Sequence, residues 1–221
     1  PVRPAAPRTT RKAVTPMAFV QAIAWAYRNR AVDPAGALAA AQIPPDSIHD
    51  PDARISAQQM ERISEHAMRE LDDEALGWFS RRLPWGSYGL LARASLSAPT
   101  LGVALKRWCR HHGLLTRDIT LALQVQGDEA AIVLTEHRPP GGDGSLREFC
   151  QVSVLRNVHG LACWFVDSRI PLRGARFAFG APPHADAYAV LFDGPTTFGA
   201  DQTAIRFDAR YLELPVKRDE A

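Results

Sequence analysis

The sequence predicts an α+β protein in which an N-terminal helical layer packs on a small, mostly antiparallel sheet. Up to about residue 112, apolar residues recur at helical spacing, whereas residues 117–137 and two later segments alternate between apolar and polar residues. Between these strands, residues 146–166 are apolar over much of a helical circumference, which is typical of one long helix buried between layers. This order of helices, hairpin, helix and strands indicates the α+β class.

Two helices are predicted at the start of the folded chain. Thr15 followed by Pro16 is a common helix start, with Thr at the N-cap and Pro at the first helical position. Residues 19–27 then carry an apolar stripe at helical spacing. Asp33-Pro34 repeats the start signal and predicts a short alanine-rich helix that ends near Ala41.

Two more helices are predicted before the first strand. Ser56 and Gln59 have the spacing of a capping box, which predicts a third helix with an apolar stripe through Leu71. Residues 85–89 combine two glycines with two aromatic residues and are expected to form a turn. The next helix is expected from about residue 100 to residue 112.

The later part of the chain predicts a hairpin and two single strands. Residues 117–137 alternate in polarity on both sides of Gly127-Asp128, which is typical of a β-hairpin. Further strands are expected at residues 176–179 and 205–207, separated by a short helix over residues 185–192.

The chain is expected to fold as one domain over residues 15–216. Residues 1–14 are rich in Pro, Arg and Thr without apolar periodicity, so they are expected to form a disordered basic arm. The net charge of +2 comes from this arm, because residues 13–221 hold 22 basic and 24 acidic residues. The folded body therefore lacks the bulk positive charge of a DNA-gripping domain. Residues 217–221 are expected to begin a linker.

Several classes of protein are disfavoured by what the sequence lacks. No apolar run approaches the roughly 18 residues of a membrane span. Three cysteines without close pairing favour a reducing cytoplasm, and a start at Pro1 without a secretory signal favours a fragment of a longer protein. Phosphate-loop, dinucleotide, zinc and nucleophile-elbow patterns are missing, so no cofactor, metal ligand or catalytic residue is expected.

The long helix carries one polar face within its apolar surface. Ser153, Arg156, Asn157 and Gly160 follow the spacing that places residues on one side of a helix. One interpretation is a solvated face or an internal ion pair. The other is the polar wall of a small-molecule pocket, in which Arg156 pairs with a ligand carboxylate.

Aromatic residues are candidates for the apolar walls of that pocket. Trp85, Tyr88 and Trp164 are proposed for this role, although aromatic side chains are more often part of a core. His159 of the long helix is a further candidate. It lies four residues before Cys163, a spacing that can bind a metal or activate a thiolate, although a packed histidine beside a buried cysteine is the simpler interpretation.

Four stretches occur in an order and spacing typical of one family. They are Asp52–Ser56; Gly89–Leu91 followed by Ala98–Leu105; the hairpin followed by the long helix from Arg147-Glu148; and Phe192–Phe198 with Ile205–Asp208 and Leu212–Pro215. Over roughly residues 17–216 the chain thus resembles the N-terminal effector-sensing domain of AraC/XylS-type transcription regulators, often labelled arabinose-binding-like. Similar domains often carry Glu where Val103 stands, so one capping box is incomplete here.

The resemblance implies a cytoplasmic, non-enzymatic domain that binds a small organic effector and forms homodimers. DNA would be bound only through a C-terminal domain with two helix-turn-helix motifs, which this chain lacks. Effector binding would shift a population of arrangements and so change how the dimer presents that domain. The exposed face of the helix over residues 100–112 is one candidate dimer surface. Two alternatives remain: a small enzyme that uses Cys163 and His159, and a ligand-free oligomerisation module.

Overall fold

The computed structural model describes residues 13–141 and 144–219, so most of the expected N-terminal arm and the last two residues of the expected linker lie outside the described residues. The helices are α1 (Met17–Arg28), α2 (Ala35–Ala40), α3 (Ala57–Glu70), α4 (Ser87–Leu96), α5 (Leu101–Leu115), α6 (Ser145–Phe165) and α7 (Tyr188–Leu191). The strands are β1 (Thr15–Pro16), β2 (Arg54–Ile55), β3 (Ile119–Gln126), β4 (Glu129–Glu136), β5 (Leu172–Arg176), β6 (Thr196–Thr197) and β7 (Thr203–Asp208). The α+β class is confirmed.

The first helix begins one residue later than the sequence predicts, at Met17 rather than Pro16. Thr15 and Pro16 form β1, which pairs antiparallel with β2. The amide of Met17 also donates to the carbonyl of Ala53, at 3.2 Å. Pro16 is extended rather than helical, with φ −61° and ψ 141°. The prediction that Thr15 caps this helix is therefore wrong, because pairing with β2 holds the backbone of this segment in an extended conformation.

The capping box that starts α3 is confirmed. The Ser56 hydroxyl accepts the amide of Gln59 at 3.2 Å, and the Gln59 side-chain oxygen accepts the amide of Ser56 at 3.0 Å. This reciprocal pair satisfies two amide donors that a helix N-terminus leaves without partners.

Residues 85–89, which the sequence predicts to form a turn, also contain the start of helix α4 at Ser87. Gly86 takes the left-handed conformation, φ +97°, which glycine adopts without a steric penalty. The carboxylate of Glu74 then accepts the amides of Gly86 and Tyr88, at 2.8 and 2.7 Å. A negative charge at this end of a helix is also favoured by the helix dipole.

The main sheet has five strands in the order β3-β4-β7-β5-β6, antiparallel except for the β5–β6 pair. The hairpin prediction is confirmed by the register from Ile119 opposite Glu136 to Gln126 opposite Glu129. The strand expected at residues 176–179 lies earlier, at β5. Phe177 and Phe179 bond instead to the end of β6 and the residues that follow it: the Phe177 amide donates to the carbonyl of Thr197, and the carbonyl of Phe179 accepts the amide of Gly199.

The long helix α6 lies between the helical layer and the sheet, as the sequence predicts. It contacts α1 and α5 on one side and β4 and β7 on the other. Its buried Glu148 accepts hydrogen bonds from Tyr188 at 2.6 Å and lies 2.7 Å from His184. Gln151 accepts from Thr203 of β7 at 2.7 Å. These polar contacts connect α6 to β7 and to the segment that contains α7. Within the described ranges, no helix is long and apolar enough to cross a membrane.

Candidate functional site

A cleft of about 630 Å³ opens between α3 and α6. Its volume lies within the range that binds small organic molecules. The lining comes from six elements and the loop between α3 and α4. The residues are Thr15, Phe19, Ala57, Met60, Glu61, Ser64, Met68, Glu74, Trp78, Tyr88, Phe149, Val152, Ser153, Val154, Arg156, Asn157 and Leu191.

The polar face predicted on the long helix lines this cleft. Ser153, Arg156 and Asn157 are all lining residues, whereas Gly160 lies beyond them. The exposed Arg156 donates from Nη1 to the carbonyl of Leu191 at 3.2 Å. No carboxylate of the described residues lies within 4 Å of its guanidinium. The internal ion pair that was one interpretation of Arg156 is therefore absent from the described part of the chain.

The opposite wall is a face of α3 that the sequence did not indicate as functional. Met60 and Glu61 are followed by Ser64 and Met68 at helical spacing, so the four share one side of α3, and all of them line the cleft. Glu61 is exposed and makes no ion pair or hydrogen bond with the other described residues. The cleft thus carries a cation on one wall and an anion on the other.

Aromatic rings form the apolar part of the cleft. Phe149 packs against Phe19 and Trp78, with ring centroids 5.3 and 5.2 Å apart. Tyr88 stacks on Trp108 at 5.8 Å, and its hydroxyl lies 3.3 Å from Nε2 of the buried His112. Burial raises the pKa of Tyr88 above its usual range and lowers that of His112 to about 4. Both groups are therefore neutral at pH 7.

Glu74 also lines the cleft, but its carboxylate is occupied. Both of its oxygens accept the backbone amides that start α4. This leaves Glu61 as the acidic lining residue available to a ligand.

Three of the residues proposed for the pocket lie outside its lining. Trp85 is 45% exposed. The guanidinium carbon of Arg69 lies over its ring, 4.7 Å from the ring centroid. Trp164 is 41% exposed, and the guanidinium carbon of Arg218 lies 5.7 Å from its ring centroid. His159 bonds through Nε2 to the carbonyl oxygen of Ile170 at 2.8 Å. Sequence spacing identified aromatic residues but not the direction in which each ring points.

A smaller cleft of about 360 Å³ lies elsewhere, beside α1 and the N-terminal end of α6. Its polar lining includes Gln21, Arg28 and His49, and Gln21 is already bonded to the carbonyl of Ile48 at 2.7 Å. Among the described residues, no group of three or more His, Cys, Asp or Glu side chains has the arrangement of a metal site.

The pair His159 and Cys163 has a distinct electrostatic environment near the end of α6. The Cys163 sulfur accepts the amide of Ile170 at 3.3 Å and lies 3.7 Å from His159 Nε2. Partial burial alone would raise the pKa of Cys163, but these hydrogen bonds outweigh it and lower the pKa below its usual value. Burial raises the pKa of Cys109 to about 12 and also raises that of Cys150.

We expect iodoacetamide to alkylate Cys163 first when it is added to the folded protein at pH 7. The thiolate is the reactive form, so a lowered pKa keeps the rate high as the pH falls. The midpoint of the rate against pH should lie below about 8.5, the ordinary value for cysteine, and His159→Ala should raise it. Peptide mapping by mass spectrometry identifies the modified residue. A midpoint equal to that of N-acetylcysteine would contradict this assignment.

The fold and the cleft define an α+β domain with room for a small molecule. Residues 32–216 match the family described as the arabinose-binding domain of AraC transcription regulators, N-terminal. The chain belongs to this family, which confirms the resemblance seen in the sequence.

The chain is also similar to two individual proteins. The chain is 25% identical over 206 residues to the ornithine utilization regulator of Pseudomonas aeruginosa, covering 92% of this chain and 59% of the relative. A solved structure, that of the transcriptional regulator CdpR from Pseudomonas aeruginosa, aligns with a TM-score of 0.47 and 20% identity over 86% of this chain and 57% of that one. The chain thus spans less than three fifths of the length of both proteins.

Proposed function

We propose that this chain is the effector-sensing part of an AraC-type regulator and that the cleft between α3 and α6 binds the effector. One observation carries the proposal: polar side chains on both walls line the same cleft and have no hydrogen-bond or ion-pair partners among the described residues, apart from the carbonyl that Arg156 contacts. They are Glu61, Ser64, Ser153, Arg156 and Asn157. Polar groups of this kind gain hydrogen bonds when a ligand enters.

The helix that lines the cleft also holds the segment where the chain leaves the domain. The amide of Lys217 donates to the carbonyl of Phe165 at 2.7 Å. Arg218 donates to the carbonyl of Trp164 at 3.0 Å and forms an ion pair with Asp167. In the proposed mechanism, an effector that favours one position of α6 changes how residues 217–219 leave the domain, because these contacts connect them to the end of α6.

The proposal extends to the architecture of the whole regulator. Residues 15–216 act as a sensing and dimerisation domain in the cytoplasm, and residues 217–221 lead to a DNA-binding domain outside this chain. The exposed side of α5, with Lys106, Arg107 and Arg110, is one candidate for the dimer surface. The alternative enzyme based on Cys163 and His159 is not favoured, because neither side chain lines the cleft.

A thermal-shift screen of amino acids, sugars and fatty acids tests the proposal. L-Ornithine belongs in the first plate, because the name of one relative refers to its utilization. A ligand at a hundredfold excess over its Kd contributes about 2.7 kcal/mol, which raises the Tm of a domain of this size by about 5–10 °C. A broad library without a single stabilising compound would favour the ligand-free oligomerisation module instead.

A further inference from the structure

The two charged side chains of the cleft lie on different helices and do not neutralise each other. Arg156 projects from α6 and Glu61 from α3, and the two are not within the 4 Å of an ion pair. Each also lacks an oppositely charged partner among the other described residues. The gap between them is therefore bordered by one positive and one negative group.

We propose that the effector is a small zwitterion whose carboxylate binds Arg156 and whose ammonium group binds Glu61. This inference rests on the proposed function and names the class of ligand for the same cleft. A guanidinium offers two parallel N–H donors to a carboxylate, and a carboxylate accepts from an ammonium group in charge-assisted hydrogen bonds. A ligand with both charges bridges α3 and α6.

Neighbouring polar groups complete the two ends of the site. Asn157 and Ser153 lie beside Arg156 on α6, where they can bond the second carboxylate oxygen. Ser64 lies one turn from Glu61 on α3 and offers an acceptor to the ammonium group. Each charged end of the ligand therefore meets one opposite charge and at least one neutral polar side chain.

Apolar side chains line the same cleft. They include Met60 and Met68 of α3, Val152 of α6 and Leu191 of α7. Methionine side chains are flexible and adapt to aliphatic groups of different shape. The combination fits an amino acid with an aliphatic chain better than a sugar, whose many hydroxyls would need polar partners along its whole length.

Four matched compounds test the requirement for both charges. L-Norvaline and 5-aminopentanoate are zwitterions with a short aliphatic chain, pentanoate lacks the ammonium group, and butylamine lacks the carboxylate. Calorimetric titration into the chain should give at least one zwitterion a Kd about tenfold or more below that of pentanoate and butylamine, since a hydrogen bond to a charged group contributes about 1.5–3 kcal/mol.

Glu61→Gln should weaken binding of that zwitterion about tenfold or more and leave binding of pentanoate unchanged. Glu65→Gln is the matched control, because Glu65 lies on the same helix, pairs with Arg69 at 2.8 Å and does not line the cleft. Two results would overturn the inference. One is equal affinity for pentanoate and the zwitterions, and the other is an affinity for the zwitterion that stays the same in Glu61→Gln. A sugar or fatty acid that binds while all zwitterions fail would also overturn it, but would leave the proposed sensing function intact.

Discussion

Replacing Asp73 by alanine should lower the free energy of unfolding by about 4 kcal/mol or more, a large part of the roughly 5–15 kcal/mol that is typical of a whole protein. Asp73 is 1% exposed and follows α3. Its carboxylate accepts the amides of Ala75, Gly77 and Leu83 at 3.0–3.1 Å and forms an ion pair with Arg30. One side chain thus organises the loop that leads to α4.

The size of this effect follows from the groups that Asp73→Ala leaves without partners. Each buried amide without an acceptor costs about 1–3 kcal/mol, and loss of a partner in a partly buried ion pair adds to this. Urea unfolding followed by circular dichroism measures the change. Asp201→Ala is the control, because Asp201 is exposed and a surface change of this kind costs within about 0.5 kcal/mol. A similar small change for Asp73→Ala would show that the loop is held by other contacts.

Arg156→Ala should reduce the thermal shift that an effector with a carboxylate produces to about half or less, while the ligand-free protein keeps its Tm. Among the described residues Arg156 makes one hydrogen bond, to the carbonyl of Leu191, and no ion pair, so its removal breaks no ion pair in the ligand-free protein. Ligand binding, in contrast, loses a charge-assisted pair with two parallel hydrogen bonds.

Arg156→Ala should lower the affinity about 10–100-fold. The affinity of Arg156→Lys should lie between those of the unchanged protein and of Arg156→Ala, because lysine keeps the charge but lacks the planar guanidinium group. Titration of the compound found in the screen measures both variants. Arg93→Ala is the matched control, since Arg93 is an exposed arginine of α4 outside the cleft lining. An unchanged thermal shift in Arg156→Ala would remove Arg156 from the effector site.

Much of the fold is predictable because local patterns decide it. The periodicity of α6, the alternation of β3 and β4, and the capping box of α3 each depend on residues close together in the sequence. Where the deciding contact is distant, the sequence does not show it. The carboxylate that caps α4 comes from Glu74, twelve residues before Gly86, and β2 holds Thr15 and Pro16 in an extended conformation from about forty residues away.

The candidate site also contains residues that the sequence indicates and residues that it does not. Ser153, Arg156 and Asn157 were conspicuous because they interrupt an apolar helix. Glu61 and Ser64 were not, because α3 is mostly polar and its outward face looks like any solvated surface. The sequence holds only a weak signal, in that Met60 and Met68 flank these polar residues. The structure leaves both methionines only half-buried.

Hydrogen–deuterium exchange with and without a stabilising compound tests the central claim, that the effector binds between α3 and α6. Binding should slow exchange in peptides that cover Ala57–Glu70 and residues 149–157, and leave the hairpin formed by β3 and β4 unchanged. The control is the same measurement on Arg156→Ala, in which the protection should disappear. Protection confined to the smaller cleft beside Gln21 and His49, or to the hairpin, would contradict the account.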